Sequence, residues 1–231
     1  MKNNSSRNKI LNRVKKSLNI QSTSITNNPE IDINIDQELK KITPSGKELL
    51  IEQFRDEVEK VSGEFIFVPT LLEASKPIVD IFNSEGVLEI ATTAESECIE
   101  IAKYISQKFS KIKFFSTADY TEDNRKIKFT DINTSIVNAS YAIADIGSVV
   151  FCYDKTLTSY PHFLSDHVIV LVNENDVVAN QFELFTKLDM ETAKNMVIVA
   201  GPSRTADIEK VLVLGAHGPR KLTVILYRGK N

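Results

Sequence analysis

Two cysteines, three histidines and no glycine-rich nucleotide loop are all that this 231-residue chain offers to cofactor chemistry. Cys98 and Cys152 lie far apart and fit no metal-ligand spacing. An iron–sulfur cluster takes about four cysteine ligands, so none is expected in this chain. The pair reads instead as reduced thiols of a cytoplasmic protein. Neither GxGxxG nor GxxxxGK[ST] follows any strand-like run, which excludes a standard dinucleotide site or P-loop. No apolar run approaches the roughly 18 residues that span a bilayer, and the N-terminus lacks the apolar core of a signal peptide. A basic excess is missing too: net charge is −3, so no global field argues for nucleic acid. Three scattered histidines have no spacing that supports a metal site.

What is present divides into two parts, 1–44 and 45–231. Between Met1 and Leu18 stand six Lys or Arg and no acid. Ile10, Leu11, Val14 and Leu18 form one stripe of a short helix, which either docks a partner or an anionic surface or folds back on its own domain. A linker rich in Ser, Thr and Asn follows from Gln21 to Asn28, then an acidic stretch with Glu30, Asp32, Asp36 and Glu38. The body is an α/β domain. Ser45 and Glu48 have capping-box spacing ahead of a helix with the apolar stripe Leu49, Leu50, Phe54, Val58 and Val61, closed by Gly63. Strand-like and helix-like runs then alternate. Strands are expected at Phe65–Val68, Val87–Ala91, Ile112–Phe115, Ile143 with Val149–Phe151, His167–Val172, Met196–Ala200 and Leu222–Leu226. Helices are expected at Leu71–Asn83, Glu95–Phe109 and Val177–Leu188. This alternation implies βαβ crossovers and a mainly parallel open sheet flanked by helices.

Chemistry-bearing residues concentrate near the C-terminus. Gly201-Pro202-Ser203-Arg204-Thr205-Ala206-Asp207-Ile208-Glu209 follows an apolar run, and Leu214-Gly215-Ala216-His217-Gly218-Pro219-Arg220 precedes another. A strand that empties into polar residues marks the place where open α/β sheets put their binding crevice. Ser203 or Thr205 is expected to cap a helix through Ile208, Val211 and Leu212, with Asp207 at its positive end. The exposed N–H groups of such a start, beside Arg204, would hold a carboxylate or phosphate; the bland reading is capping alone. His217, between two glycines, is either an accessible acid–base group or a turn residue bonded to a carbonyl. Upstream, Asp145-Ile146-Gly147-Ser148 interrupts an apolar strand; Gly147 permits a bulge or a close approach, and Asp145 must be solvated, paired or catalytic. His162 reads as a loop residue, and His167, opening a strand after Ser165-Asp166, as structural. Ser203, His217 and Asp145 do not make a triad, because the G-x-S-x-G elbow is missing.

These blocks resemble the LUD-domain family, in its lactate utilisation protein C branch. The resemblance rests on 201–209, 212–219 and 144–150, in the family's order and spacing over roughly 45–227. It implies a fold like that of sugar-phosphate isomerases and CoA transferases. A place in cytoplasmic oxidation of L-lactate to pyruvate is also implied, with iron–sulfur clusters carried by partner subunits. The residues it points to are Asp145, Gly147, Ser148, His167, Ser203, Arg204, Thr205, Asp207, His217 and Gly218, as ligand-binding or, for Asp145 and His217, catalytic groups. This chain departs from the family at Asp145, where relatives carry Glu, and at Ser165, where they carry Pro. The leading expectation is an accessory subunit that binds a small carboxylate or phosphate. The alternative is a stand-alone enzyme of CoA-transferase or sugar-phosphate isomerase type using Asp145.

Overall fold

In the computed structural model the chain divides into two compact units, Met1–Ile42 and Thr43–Asn231. The structure describes residues 9, 13, 46–120, 129, 131–153, 159–188, 195–206, 212–214 and 218–229. In the first unit this covers only Lys9 and Arg13, both helical and exposed; the rest of the basic stripe, the linker and the acidic stretch lie outside the described residues.

The second unit opens with α1 (Lys47–Lys60), β1 (Glu64–Val68), a 3-10 turn (Leu71–Ala74), α2 (Ser75–Glu85), β2 (Glu89–Thr92), α3 (Ser96–Lys108), β3 (Lys113–Ser116) and β4 (Thr134–Asn138). It continues with β5 (Tyr141–Ile143), β6 (Ser148–Tyr153), a single turn α4 (Tyr160–Phe163), β7 (His167–Asn173), β8 (Val177–Val178) and α5 (Gln181–Lys187). Then come β9 (Asn195–Ala200), β10 (Arg204–Ala206), β11 (Leu212–Leu214) and β12 (Lys221–Tyr227). Six strands in the order β1-β12-β7-β4-β2-β3 pair in parallel throughout, as the alternation of elements requires.

Strand periodicity sorts the core into two faces. Val168, Val170 and Val172 of β7, with Val224 and Leu226 of β12, face α1 through Phe54 and Val58. Ile169, Leu171 and Ile225 point the other way, onto Ile78 and Phe82 of α2 and Ile101 and Ile105 of α3. A strand buried on both sides reads as an unbroken apolar run, which is how β7 was legible. A second, smaller sheet, β8-β5-β6-β9, packs on the α1 side; β6 runs antiparallel to both β5 and β9. Its far face carries Ile143, Val150 and Val178, covered by Leu184 of α5.

Several expectations are corrected here. The helix assigned to Val177–Leu188 begins as strand β8, and α5 starts only after Asn180, whose side chain accepts the Glu183 N–H at 3.0 Å. β4 was not anticipated, because Thr134 and Ser135 dilute its apolar signal; Ser135 Oγ satisfies itself by donating to the Pro161 carbonyl at 2.6 Å. The Leu71 helix splits into a 3-10 turn capped by Thr70 and the α-helix proper. The residue at the N-cap of α1 is Gly46, with no side-chain cap; Ser45 lies outside the described residues. His162, read as a loop residue, sits buried in α4 against Phe151 and Tyr153, with ring centroids 4.3 and 5.2 Å away.

Candidate functional site

The two polar motif blocks meet through strand pairing. Ser148, at the start of β6, lies opposite Ala200, at the end of β9. The turn Ala144–Ile146 with Gly147 therefore sits beside Gly201-Pro202-Ser203. Both glycines are left-handed, at φ 57° and 72°, and both receive the backbone of α1. A Cβ on Gly147 would lie 2.4 Å from the Glu57 carbonyl carbon, and one on Gly201 2.6 Å from the Val61 oxygen. The close approach that Gly147 permits is thus made by the last turns of α1, in van der Waals contact with the β6–β9 corner. The Ser203 N–H donates to the Pro219 carbonyl at 2.8 Å, and Gly218 leaves room for the Ser203 side chain above it.

A groove of about 580 Å³ opens here, lined by Lys60 of α1 and its C-cap Val61, Phe163 of α4, residues 197–200 of β9, and Gly201 to Arg204. Its charged lining is cationic. Lys60 pairs with Glu57 at 2.6 Å on the surface. Arg204 is exposed and makes no ion pair among the described residues. An unpaired guanidinium over apolar walls suits a carboxylate or phosphate carried on an apolar body. One expected source of donors is absent: Ser203 and Thr205 do not start a helix. Instead β10 and β11 form an antiparallel pair, with Arg204 opposite Leu214. The β-branched Thr205 and the Leu-Val-Leu run favour strands over the short helical stripe read there. Asp207 and His217 lie outside the described residues.

The location also differs from expectation. β9 belongs to the antiparallel sheet, so the carboxyl-end rule for parallel strands does not apply to it. The groove lies near the amino end of β12, where the Arg220 and Lys221 N–H groups both donate to the Asp166 carbonyl, at 2.8 and 2.9 Å.

His167, next in the chain, does not enter the groove. Its ring is buried, with Nδ1 3.0 Å from Glu85 Oε2 and Nε2 2.9 Å from Thr223 Oγ1. Thr223 spends its proton on Glu64 Oε2 at 2.8 Å, so Nε2 must donate to it. Burial disfavours the Glu85 carboxylate, but hydrogen bonds from Lys221 and His167 outweigh that and hold it below its ordinary value. The ring thus cross-links β7, β12, β1 and the end of α2. Its geometry is that of a structural tie.

Asp145 stands on its turn with an exposed side chain. Partial desolvation raises its carboxyl above the usual value, its own N–H opposes that, and Glu57 adds to it. Among the described residues it makes no ion pair. Ser148 is buried and donates back to the Ile146 carbonyl at 3.3 Å. Cys98 is buried and free, its thiol pushed far up by burial and by Glu95. No group of three or more His, Cys, Asp or Glu could hold a metal among the described residues. Nor is any helix among them long and apolar enough to cross a membrane.

A second cavity, of about 540 Å³, was not anticipated. It opens at the carboxyl ends of the parallel strands, between Pro69 to Leu72, Ser96, Glu97 and Glu100 of α3, Asn173, and Tyr227 to Gly229. Its character is acidic: burial and then Glu97 push the Tyr227 phenol up to about 12. Its cation, Arg228, reaches Glu174 at 3.6 Å. Applying the carboxyl-end rule to the Phe65–Val68 and Leu222–Leu226 runs, rather than to the densest motif, points to it.

A model of the LUD domain matches residues 51–227. A lactate utilization protein C from Bacillus pumilus is 24% identical over 191 residues, 78% of this chain and 79% of that protein. One from Bacillus subtilis is 30% identical over 115 residues, 47% of this chain and 48% of its own. Among solved structures, a duf162 family protein from Deinococcus radiodurans superposes with a TM-score of 0.56 at 13% identity. That match covers 80% of this chain and 99% of the other, a likeness of fold.

Proposed function

The chain belongs to the LUD domain family, and on that premise we propose that it serves lactate utilisation as a small-anion-binding accessory subunit. The relatives named lactate utilization protein C support the process. The observation that carries the molecular role is Arg204, exposed at the mouth of the groove lined by Gly201 to Ser203 and unpaired among the described residues. Its ligand is a carboxylate or phosphate, with the Arg204 guanidinium as the bidentate donor and the apolar walls of residues 197–200 and Val61 against its body. Redox chemistry in this reading belongs to partner proteins that carry iron–sulfur clusters in the cytoplasm, and this chain contributes recognition. Among the described residues Asp145 has no base or cation beside it, and nothing in its turn there favours a covalent role.

The test is genetic first. Deleting the gene abolishes or slows growth on L-lactate while sparing growth on pyruvate. Wild type restores growth, and Arg204→Ala restores it poorly at equal protein level. Normal growth of the deletion strain on L-lactate defeats the proposal.

A further inference from the structure

We propose that the free edge of β9 is a strand-addition site, which takes an extended, carboxylate-bearing polypeptide segment of a partner protein into the groove. Val197, Ile198, Val199 and Ala200 all line that groove. Successive side chains of a strand point to opposite faces, so a groove touched by four consecutive residues runs along the strand's edge. Among the described residues β9 pairs with β6 alone, at the end of its sheet.

The direction of its unpaired backbone groups follows from β6. The Val150 carbonyl accepts the Ser140 N–H on the β5 side, and the Cys152 N–H donates to Ser140 Oγ on that same side. Val149 and Phe151 therefore face β9 and bond to their partners Val199 and Val197. That turns the N–H and C=O groups of Met196, Ile198 and Ala200 outward. Such groups need partners. Natural edges are blunted by proline, lysine or inward charge, and Asn195–Ala200 has none of these.

The walls decide the occupant. Lys60, Val61 and Phe163 line the groove beside the edge. A second copy's β9 arrives with its own three walls, so two such edges meet wall to wall. The charged lining is Lys60 and Arg204, which selects a segment whose apolar residues alternate with Asp or Glu. Main-chain bonds supply affinity and the alternate side chains supply selection, as in other strand-addition modes. The inference shares Arg204 with the anion reading and otherwise stands on the β9 backbone, so the two can fail separately.

The probe is a dye-labelled nine-residue peptide alternating isoleucine with glutamate, titrated into the full chain by fluorescence anisotropy. The expected result is saturable binding, at least tenfold weaker when lysine replaces glutamate. Two further peptides carry N-methyl groups on the odd or on the even amides. An added strand uses one edge only, so one of the two loses at least tenfold in affinity and the other keeps it. Ile198→Pro, which removes an outward N–H at a position where edge strands accept proline, abolishes binding of the peptide. Equal binding of the two methylated peptides overturns the proposal, and so does no binding of the glutamate peptide at millimolar concentration. A β9-dependent dimer of the chain that the peptide does not dissociate also overturns it, because the edge is then occupied by a second copy.

Discussion

Gly147 and Gly201 show how much of the site is backbone. Each combines a left-handed φ with a helix backbone where a side chain would go. Replacing either by Ala adds conformational strain and overpacking together, an expected loss of about 2–4 kcal/mol in chemical denaturation. A loss below about 0.5 kcal/mol means α1 can move away from the corner. His162 makes a pH prediction. Burial pushes its imidazole down from the ordinary 6.5 to about 3, against the ring's hydrogen bond to the Ser159 backbone carbonyl. Between those values the unfolded chain binds a proton that the folded one refuses, so stability is full above pH 6.5 and falls as pH drops towards 3. Urea midpoints at pH 7.5 and 5 measure this, and His162→Phe should flatten the difference. Glu85 contributes at lower pH. Its folded value is depressed, so its stabilisation is present above the unfolded value of about 4.3 and lost as pH falls through the folded one. Glu85→Gln is expected to cost about 1–3 kcal/mol near neutral pH, because it leaves the buried His167 without its anionic partner.

Elements whose burial is two-sided or strictly periodic were legible in the sequence: β7, β12 and α3 sit where their apolar patterns put them. The rest depended on partners that no local pattern shows. β8 is two residues long and exists because β5 pairs with it in parallel. The signal for α5 was present, since Asn180 and Glu183 have capping-box spacing, but the apolar pair Val177-Val178 ahead of it drew the boundary too early. Glu183 also accepts the Ala179 N–H at 2.8 Å, so the helix start is closed from both directions. Asn180→Ala is expected to cost about 1 kcal/mol, and calorimetry should show it without change in the β7 core. The hairpin of β10 and β11 is the more instructive difference. Ser203, Thr205 and Asp207 carry helix-cap chemistry, yet Ser203 gives its N–H to Pro219, and the strands follow from that tertiary bond. At the site, Arg204 lines the groove, while among the described residues Ser203 and Thr205 lead into or lie within strand β10 and start no helix.

At the scale of the molecule, the described residues form two cavities of opposite electrical character, one near the amino end of β12 and one at the carboxyl ends of the parallel strands. The groove near the amino ends has Arg204 and Lys60 as charged lining; the carboxyl-end crevice has Glu97 and Glu100 with Arg228 already engaged by Glu174. Open parallel sheets most often bind at their carboxyl ends, so fold precedent and charge point in different directions. An anion resolves the conflict by its own charge, since two carboxylates in a crevice repel it and a guanidinium with no ion pair among the described residues attracts it. Thermal denaturation with lactate, pyruvate, CoA esters or sugar phosphates tests which end wins. A ligand at a hundredfold its dissociation constant stabilises by about 2.7 kcal/mol, roughly 5–10 °C for a domain of this size. Arg204→Ala should lose that shift and Arg228→Ala should keep it, and added salt should shrink it as exposed charges are screened. The reverse pattern, with Arg228 required and Arg204 dispensable, would move the ligand to the crevice. The amino-end groove would then keep only the strand edge as its function.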